Sequence, residues 1–155
     1  MRLKNTLIVV NDIERTKAFY RDLFGLQVIA DYNGNVVLTE GLVLQDAAIW
    51  EKLIAREVMF GGNHAELYFE ENDMDWFLEK LEAWPEEITY VNQLMEHVWG
   101  QRVVRLYDPD MHMIEVGESM EFVAKRFLKS GMSVEETAAR TQMAVGRVAE
   151  LASAL

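Results

Sequence analysis

The side chains able to do chemistry in this chain are oxygens, amides and a few rings, because it has no cysteine and only three histidines. That rules out disulfide frameworks, thiolate metal sites and cysteine nucleophiles together. The remaining candidates recur beside apolar residues in short segments. Glu66, Tyr68 and Glu70 alternate with Leu67 and Phe69, Arg105 stands between Val104 and Leu106, and Glu115 between Ile114 and Val116. Successive side chains of a strand point to opposite faces, so such alternation sets a polar face against an apolar one. Asn5, Leu7 and Val9 oppose Thr6, Ile8 and Val10 in the same way, and Gln45 opposes Leu42 and Leu44. Arg105 can pair with Glu115 or hold an anionic substrate. His97 has the titration range of a proton shuttle, although a lone loop histidine is more often simply solvated. Glu96, His97 and Trp99, in the run Met95 to Gln101, are candidate ligand contacts, as is Trp50 in Ala47 to Ile54. For both tryptophans the other reading is a cover over the end of a core.

The strands and helices that carry these residues follow from spacing and caps. A strand is expected over Leu3 to Val10, buried on both faces because it is apolar throughout after Asn5. Asp12 caps a helix over Ile13 to Phe24, where Phe19 with Leu23 and Tyr20 with Phe24 form an apolar stripe and Gly25 gives the stop. Strands are expected at Leu26 to Ala30, Val36 to Thr39 and Leu42 to Gln45, with Asn33-Gly34 as a hairpin turn. The same β, α, β, β, β order then returns. Ala65 to Glu70 is a strand, Asp73 caps a helix to about Ala83, Pro85 breaks it, and strands follow at Ile88 to Asn92, Arg102 to Tyr107 and Met113 to Gly117. Landmarks keep register across the two passes. Asn5 precedes Asp12 by the interval that separates Glu66 from Asp73, and Gln45 corresponds to Glu115.

The run Val10-Asn11-Asp12-Ile13-Glu14, with Ala18-Phe19-Tyr20 and Leu23-Phe24-Gly25-Leu26, resembles the opening strand and helix of the vicinal oxygen chelate group. Tyr107-Asp108-Pro109-Asp110, ending in Ile114-Glu115, resembles its closing hairpin. This is the glyoxalase, bleomycin-resistance and dioxygenase fold. The resemblance implies an α+β protein in which tandem βαβββ units form a curled mixed sheet around a central cavity. The implied domain is 1–118, with units at about 1–46 and 64–118 and a linker helix over 47–63. Residues 119–155 form a C-terminal helical extension.

Metal-binding members of the group take ligands from the first and last strand of each unit, which lands on Asn5, Gln45, Glu66 and Glu115. Histidine, usual at one or both first-strand positions, is replaced here by Asn5 and Glu66. Oxygen ligands without imidazole suit magnesium or manganese better than zinc or nickel. The alternative is a polar cavity floor whose amides hydrogen-bond the two carboxylates or a ligand. If Glu66 and Glu115 lie close together without metal, repulsion and burial raise one pKa and supply a candidate acid or base. The implied function is binding of a small oxygenated molecule, with lyase or isomerase chemistry helped by a divalent metal or the Glu pair. A non-catalytic, ligand-sequestering protein of the drug-resistance type is the other reading, and the fold hosts both.

The net charge of −11 argues against a nucleic-acid surface. No apolar run is long enough to cross a bilayer and the N-terminus has no signal-peptide block, so a cytoplasmic protein without membrane attachment is expected. Of the 26 acidic residues 22 precede Ser119, leaving a nearly neutral tail. Its helices are expected over Met120 to Lys129, from a Ser133 to Glu136 capping box, and over Val145 to Ala154. The last two resemble a helix-turn-helix, but Arg147 and Ser153 alone could read bases there. The tail is expected to pack on the body or on a second subunit, hiding Phe122, Phe127 and Leu128, and the resemblance suggests a homodimer.

Overall fold

In the computed structural model, which describes residues 1–155, the chain folds as two units: Met1–Glu66 with Tyr107–Met113, and Leu67–Leu106 with Ile114–Leu155. The first unit begins with β1 (Thr6–Val10) and α1 (Ile13–Phe24). Asp12 caps α1 by accepting from the Arg15 backbone at 3.0 Å. Gly25, at φ 71°, ends it, with the Leu26 N–H returning to the Tyr20 carbonyl in a Schellman closure. Thr16, Phe19, Tyr20 and Leu23 recur at helical spacing and are buried. Then follow β2 (Val28–Asp31), β3 (Asn35–Leu38), a 3-10 turn at Thr39–Gly41, β4 (Leu42–Asp46) and α2 (Ala47–Ile54). The helix in the linker is thus confined to eight residues, because Ala55 turns left-handed at φ 52°.

The sheet order is β1-β4-β3-β2. β4 is central, pairing parallel to β1 through Ile8↔Leu44 and antiparallel to β3 through Val36↔Leu44. This corrects the expectation that β1 is buried on both faces: it is an edge strand, with Ile8 and Val10 buried but Leu7 37% exposed.

The second unit repeats the plan: β5 (Glu66–Glu70), α3 (Met74–Glu82), β6 (Tyr90–Glu96), β7 (Arg102–Tyr107) and β8 (Met113–Gly117), ordered β5-β8-β7-β6. Asp73 caps α3 through the Trp76 backbone, as Asp12 caps α1. β6 starts and ends later than expected. Pairing with β7 carries it through Met95↔Val103 to Glu96↔Arg102, with register shifts about Asn92 absorbing the irregularity. The connecting turn shrinks to residues 97–101.

The two motifs behind the sequence resemblance touch each other in the first unit. Tyr107–Met113 brings the buried carboxylates of Asp108 and Asp110 onto the start of α1. Asp110 accepts from the Asn11 backbone at 3.0 Å, from the Asn11 amide at 2.6 Å and from Thr16 Oγ1 at 3.3 Å. Asp108 accepts from Tyr20 Oη at 2.9 Å and pairs with His112 Nδ1 at 2.9 Å. Both motifs are therefore two halves of one polar knot.

Tyr20 gives that knot a pH signature. Burial first, then the negative charge of Asp108 and the hydrogen bond to it, then Asp110, push its phenol well above the ordinary 10.0. The neutral phenol is the form the fold prefers, so its contribution is complete below the unfolded value and is lost as pH rises through the folded one. Urea unfolding is therefore expected to show stability falling above about pH 10, with a shallower fall in Tyr20→Phe. Identical slopes in the two proteins would refute this.

The tail folds as α4 (Met120–Lys129), α5 (Val134–Thr141) and α6 (Val145–Ser153). Ser133 and Glu136 form the expected capping box. The three helices lie within the second unit, where Val123, Ala124, Phe127, Ala138, Val148 and Leu151 are buried. No helix of the structure is long and apolar enough to cross a membrane.

Candidate functional site

One face of the second unit's sheet gathers polar groups from three strands. β8 is interior to the sheet. Its Ile114 and Val116 enter the core, whereas Glu115 and Gly117 share the other face. A Cβ at Gly117 would meet Gln101 Nε2 at 3.0 Å and the Tyr68 ring at 3.3 Å, so glycine leaves room for both side chains there. Glu115, only 8% exposed, is ion-paired with Arg105 of β7. Gln101 donates from Nε2 to Tyr68 Oη at 3.1 Å and to the Glu118 carbonyl at 2.8 Å, and its Oε1 accepts from Trp99 Nε1 at 3.0 Å. Trp99 stacks on His97, ring centroids 4.2 Å apart.

The electrostatics keep Tyr68 a donor. Partial burial and the charge of Glu70, with a smaller contribution from Glu115, raise its phenol pKa against the opposing Gln101 hydrogen bond. Its half-exposed O–H is turned toward Glu70 Oε1 at 3.5 Å, a long, exposed contact that an incoming carbonyl or hydroxyl oxygen can replace.

Of the residues singled out in the sequence, Tyr68 and Trp99 are joined through Gln101, and Arg105 and Glu115 form an ion pair, all four in the second unit. His97 joins Trp99 through its ring stack. Glu96 turns instead to the tail, pairing with Arg140 at 3.4 Å. Asn5 is exposed just ahead of β1, and Trp50 is half-buried on α2. Gln45 is buried with its amide engaged, Oε1 accepting from Asn35 Nδ2 at 2.8 Å and Nε2 donating to the Gly34 carbonyl at 3.0 Å. Glu66 opens β5 as an exposed residue at the end of the first unit. Gln101 was missed by the sequence reading, although alternation puts it on the face of Val103 and Arg105.

As a donor set for a divalent cation, Asn5, Gln45, Glu66 and Glu115 do not fit as they stand. The Gln45 oxygen already accepts from Asn35, and the Glu115 carboxylate already carries the Arg105 guanidinium. A metal there would have to displace both partners.

A second cluster, also unforeseen, lies beneath the loop. Glu118, fully buried, accepts from the Arg102 backbone at 3.0 Å, from Arg102 Nε at 2.8 Å and from Arg126 Nη2 at 2.9 Å. Arg126 Nη2 also donates to the Gly100 carbonyl at 2.6 Å. Gly100 sits at φ 89°, and a Cβ there would fall 2.1 Å from the Phe127 ring. One helix therefore grips the 97–101 turn through two adjacent residues.

Comparison with known proteins agrees with this architecture. None of the curated proteins matches. Among solved structures, a protein of unknown function from Agrobacterium tumefaciens str. C58 is 35% identical, with a TM-score of 0.67 over 77% of this chain and 94% of that one. A lactoylglutathione lyase from Agrobacterium tumefaciens shares the fold at 24% identity and TM-score 0.60, covering 76% and 93%. So does a glyoxalase/bleomycin resistance protein/dioxygenase family enzyme from Burkholderia phytofirmans PsJN, at 19% and 0.63, covering 74% and 96%. The profile of the Glyoxalase-like domain matches residues 3–121. With two β-α-β-β-β units of identical strand order and that match, the chain belongs to the Glyoxalase-like domain family, within the vicinal oxygen chelate superfamily.

Proposed function

We propose that this protein binds a small oxygenated molecule on the polar face of β5, β8 and β7, with Arg105 and Tyr68 donating to its oxygens and Glu115 holding Arg105 in place. The observation that carries the reading is the largely buried Glu115–Arg105 pair beside the Tyr68 hydroxyl. Buried ion pairs add little stability over apolar packing, so an ion pair at this depth has a stronger rationale in recognition.

The fold relative named as a lactoylglutathione lyase suggests the first probe. S-lactoylglutathione presents a carbonyl and an adjacent hydroxyl, matched to the donors of Arg105 and Tyr68. Calorimetric titration is expected to show binding, weakened about tenfold or more in Arg105→Ala. Equal affinity in the variant would remove Arg105 from the site, and no heat with the wild type at millimolar ligand would remove the ligand class.

Turnover is a separate question. Should product form, proton transfer falls to Glu115. Should none form, the protein sequesters its ligand. Elemental analysis of protein purified without chelator is expected to show no stoichiometric metal, because Gln45 and Glu115 are already engaged; stoichiometric metal that is lost in Glu115→Gln would overturn that reading.

A further inference from the structure

Beside the polar face, the second unit holds an open cleft of about 330 Å³ lined by Trp99, Gln101, Met120, Thr141 and Gln142. The 97–101 turn supplies one wall and the C-terminal helices the other. Thr141 and Gln142 lie beyond residue 121, where the match to the family domain ends, so this cleft is a property of the extension. We propose that it is a binding compartment for a planar, uncharged ring group, forming the second half of the ligand site.

Three observations support this. No charged side chain lines the cleft, in a chain of net charge −11, which selects against ions and favours a neutral group. Its polar groups are largely engaged: Thr141 Oγ1 donates to the Thr137 carbonyl at 2.7 Å, and Gln101 is bonded at both ends. What they leave is the Met120 thioether and the half-buried Trp99 indole, one face of which carries the His97 ring, so a flat ligand ring would meet its other face. The wall is also held rigid. Arg126 binds the Gly100 carbonyl, Phe127 packs on Gly100, and Arg140 lies over the Phe127 ring at 4.3 Å while pairing with Glu96.

Gln101 belongs to both compartments, bonded to Tyr68 on one side and Trp99 on the other. In the part that joins the cleft to the polar face, this inference rests on the function proposed above. The ligand class that follows has an oxygenated head at Arg105 and Tyr68 and a flat apolar end against Trp99.

The test uses the full chain and naphthalene, a neutral planar probe with no hydrogen-bonding group for Arg105, Tyr68 or Glu115 to engage. The four tryptophan indole N–H signals are followed by NMR, with Trp99→Phe assigning one of them. The expected result is a selective, saturable shift of Trp99 and intermolecular nuclear Overhauser effects from the naphthalene protons to the Met120 methyl. Met120→Glu, which places a carboxylate in the cleft at a helix start that tolerates one, should weaken binding at least about tenfold. Absence of the Trp99 shift and of the Met120 effects in the native protein would overturn the proposal, whether or not the variant folds. Failure of S-lactoylglutathione to bind leaves this outcome standing, and failure of the naphthalene probe leaves the polar face standing, so the two readings fall separately.

Discussion

Glu118→Ala is expected to be the most destabilising single substitution in the second unit, at about 3–5 kcal/mol. The wild-type carboxylate is wholly buried and holds two guanidinium groups and a backbone N–H. Removing it leaves Arg102 and Arg126, each only about a quarter to a third exposed, as poorly solvated cations without their anion. The loss should reach the 97–101 turn, because Arg126 bridges Glu118 and the Gly100 carbonyl. Urea unfolding followed by tryptophan fluorescence measures it. Glu118→Gln, which keeps the shape and one acceptor, should lose roughly half as much. A midpoint within error of the wild type in Glu118→Ala would show that the cluster contributes no net stability.

Asp108→Ala is the corresponding substitution in the first unit, with an expected cost of about 3 kcal/mol. Four donors converge on this carboxylate: Tyr20 Oη, His112 Nδ1, and the backbone N–H groups of Asp110 and His112. Tyr20 is fully buried, so its hydroxyl has no water to replace the lost acceptor. In addition, the alkaline loss of stability traced to Tyr20 should shrink in Asp108→Ala, because one cause of the raised phenol pKa is the Asp108 charge. An undiminished pH slope would mean that burial and the Asp110 charge set the Tyr20 behaviour without Asp108.

These two residues also mark the limit of what a linear reading reaches. Asp108 stands out in the sequence as part of Tyr107-Asp108-Pro109-Asp110, and that motif helped identify the fold. Nothing local says that its carboxylate serves Tyr20, 88 positions earlier. Glu118 carries no motif at all, and its burial depends on Arg126 arriving from a helix outside the family domain.

The polar face was half legible. Alternation placed Tyr68, Arg105 and Glu115 on one side of their strands, and the same parity contains Gln101, whose role emerged only from its bonds to Tyr68 and Trp99. Gln45 illustrates the opposite case. Its parity is as expected, but its amide is committed to Asn35 and the Gly34 carbonyl, because β3 runs antiparallel beside β4 with Asn35 opposite Gln45.

Features that depend on neighbours a few residues apart were legible in the linear chain. Asp12, Asp73 and Ser133 cap helices because each side chain reaches a backbone N–H three residues on. The tandem unit was readable for the same reason, since each copy restates the same local spacing. Which faces are covered, which polar groups have partners and how the tail meets the 97–101 turn became visible in the folded chain alone. Those outcomes depend on contacts between segments far apart in the chain, and no local preference encodes where a distant partner will lie.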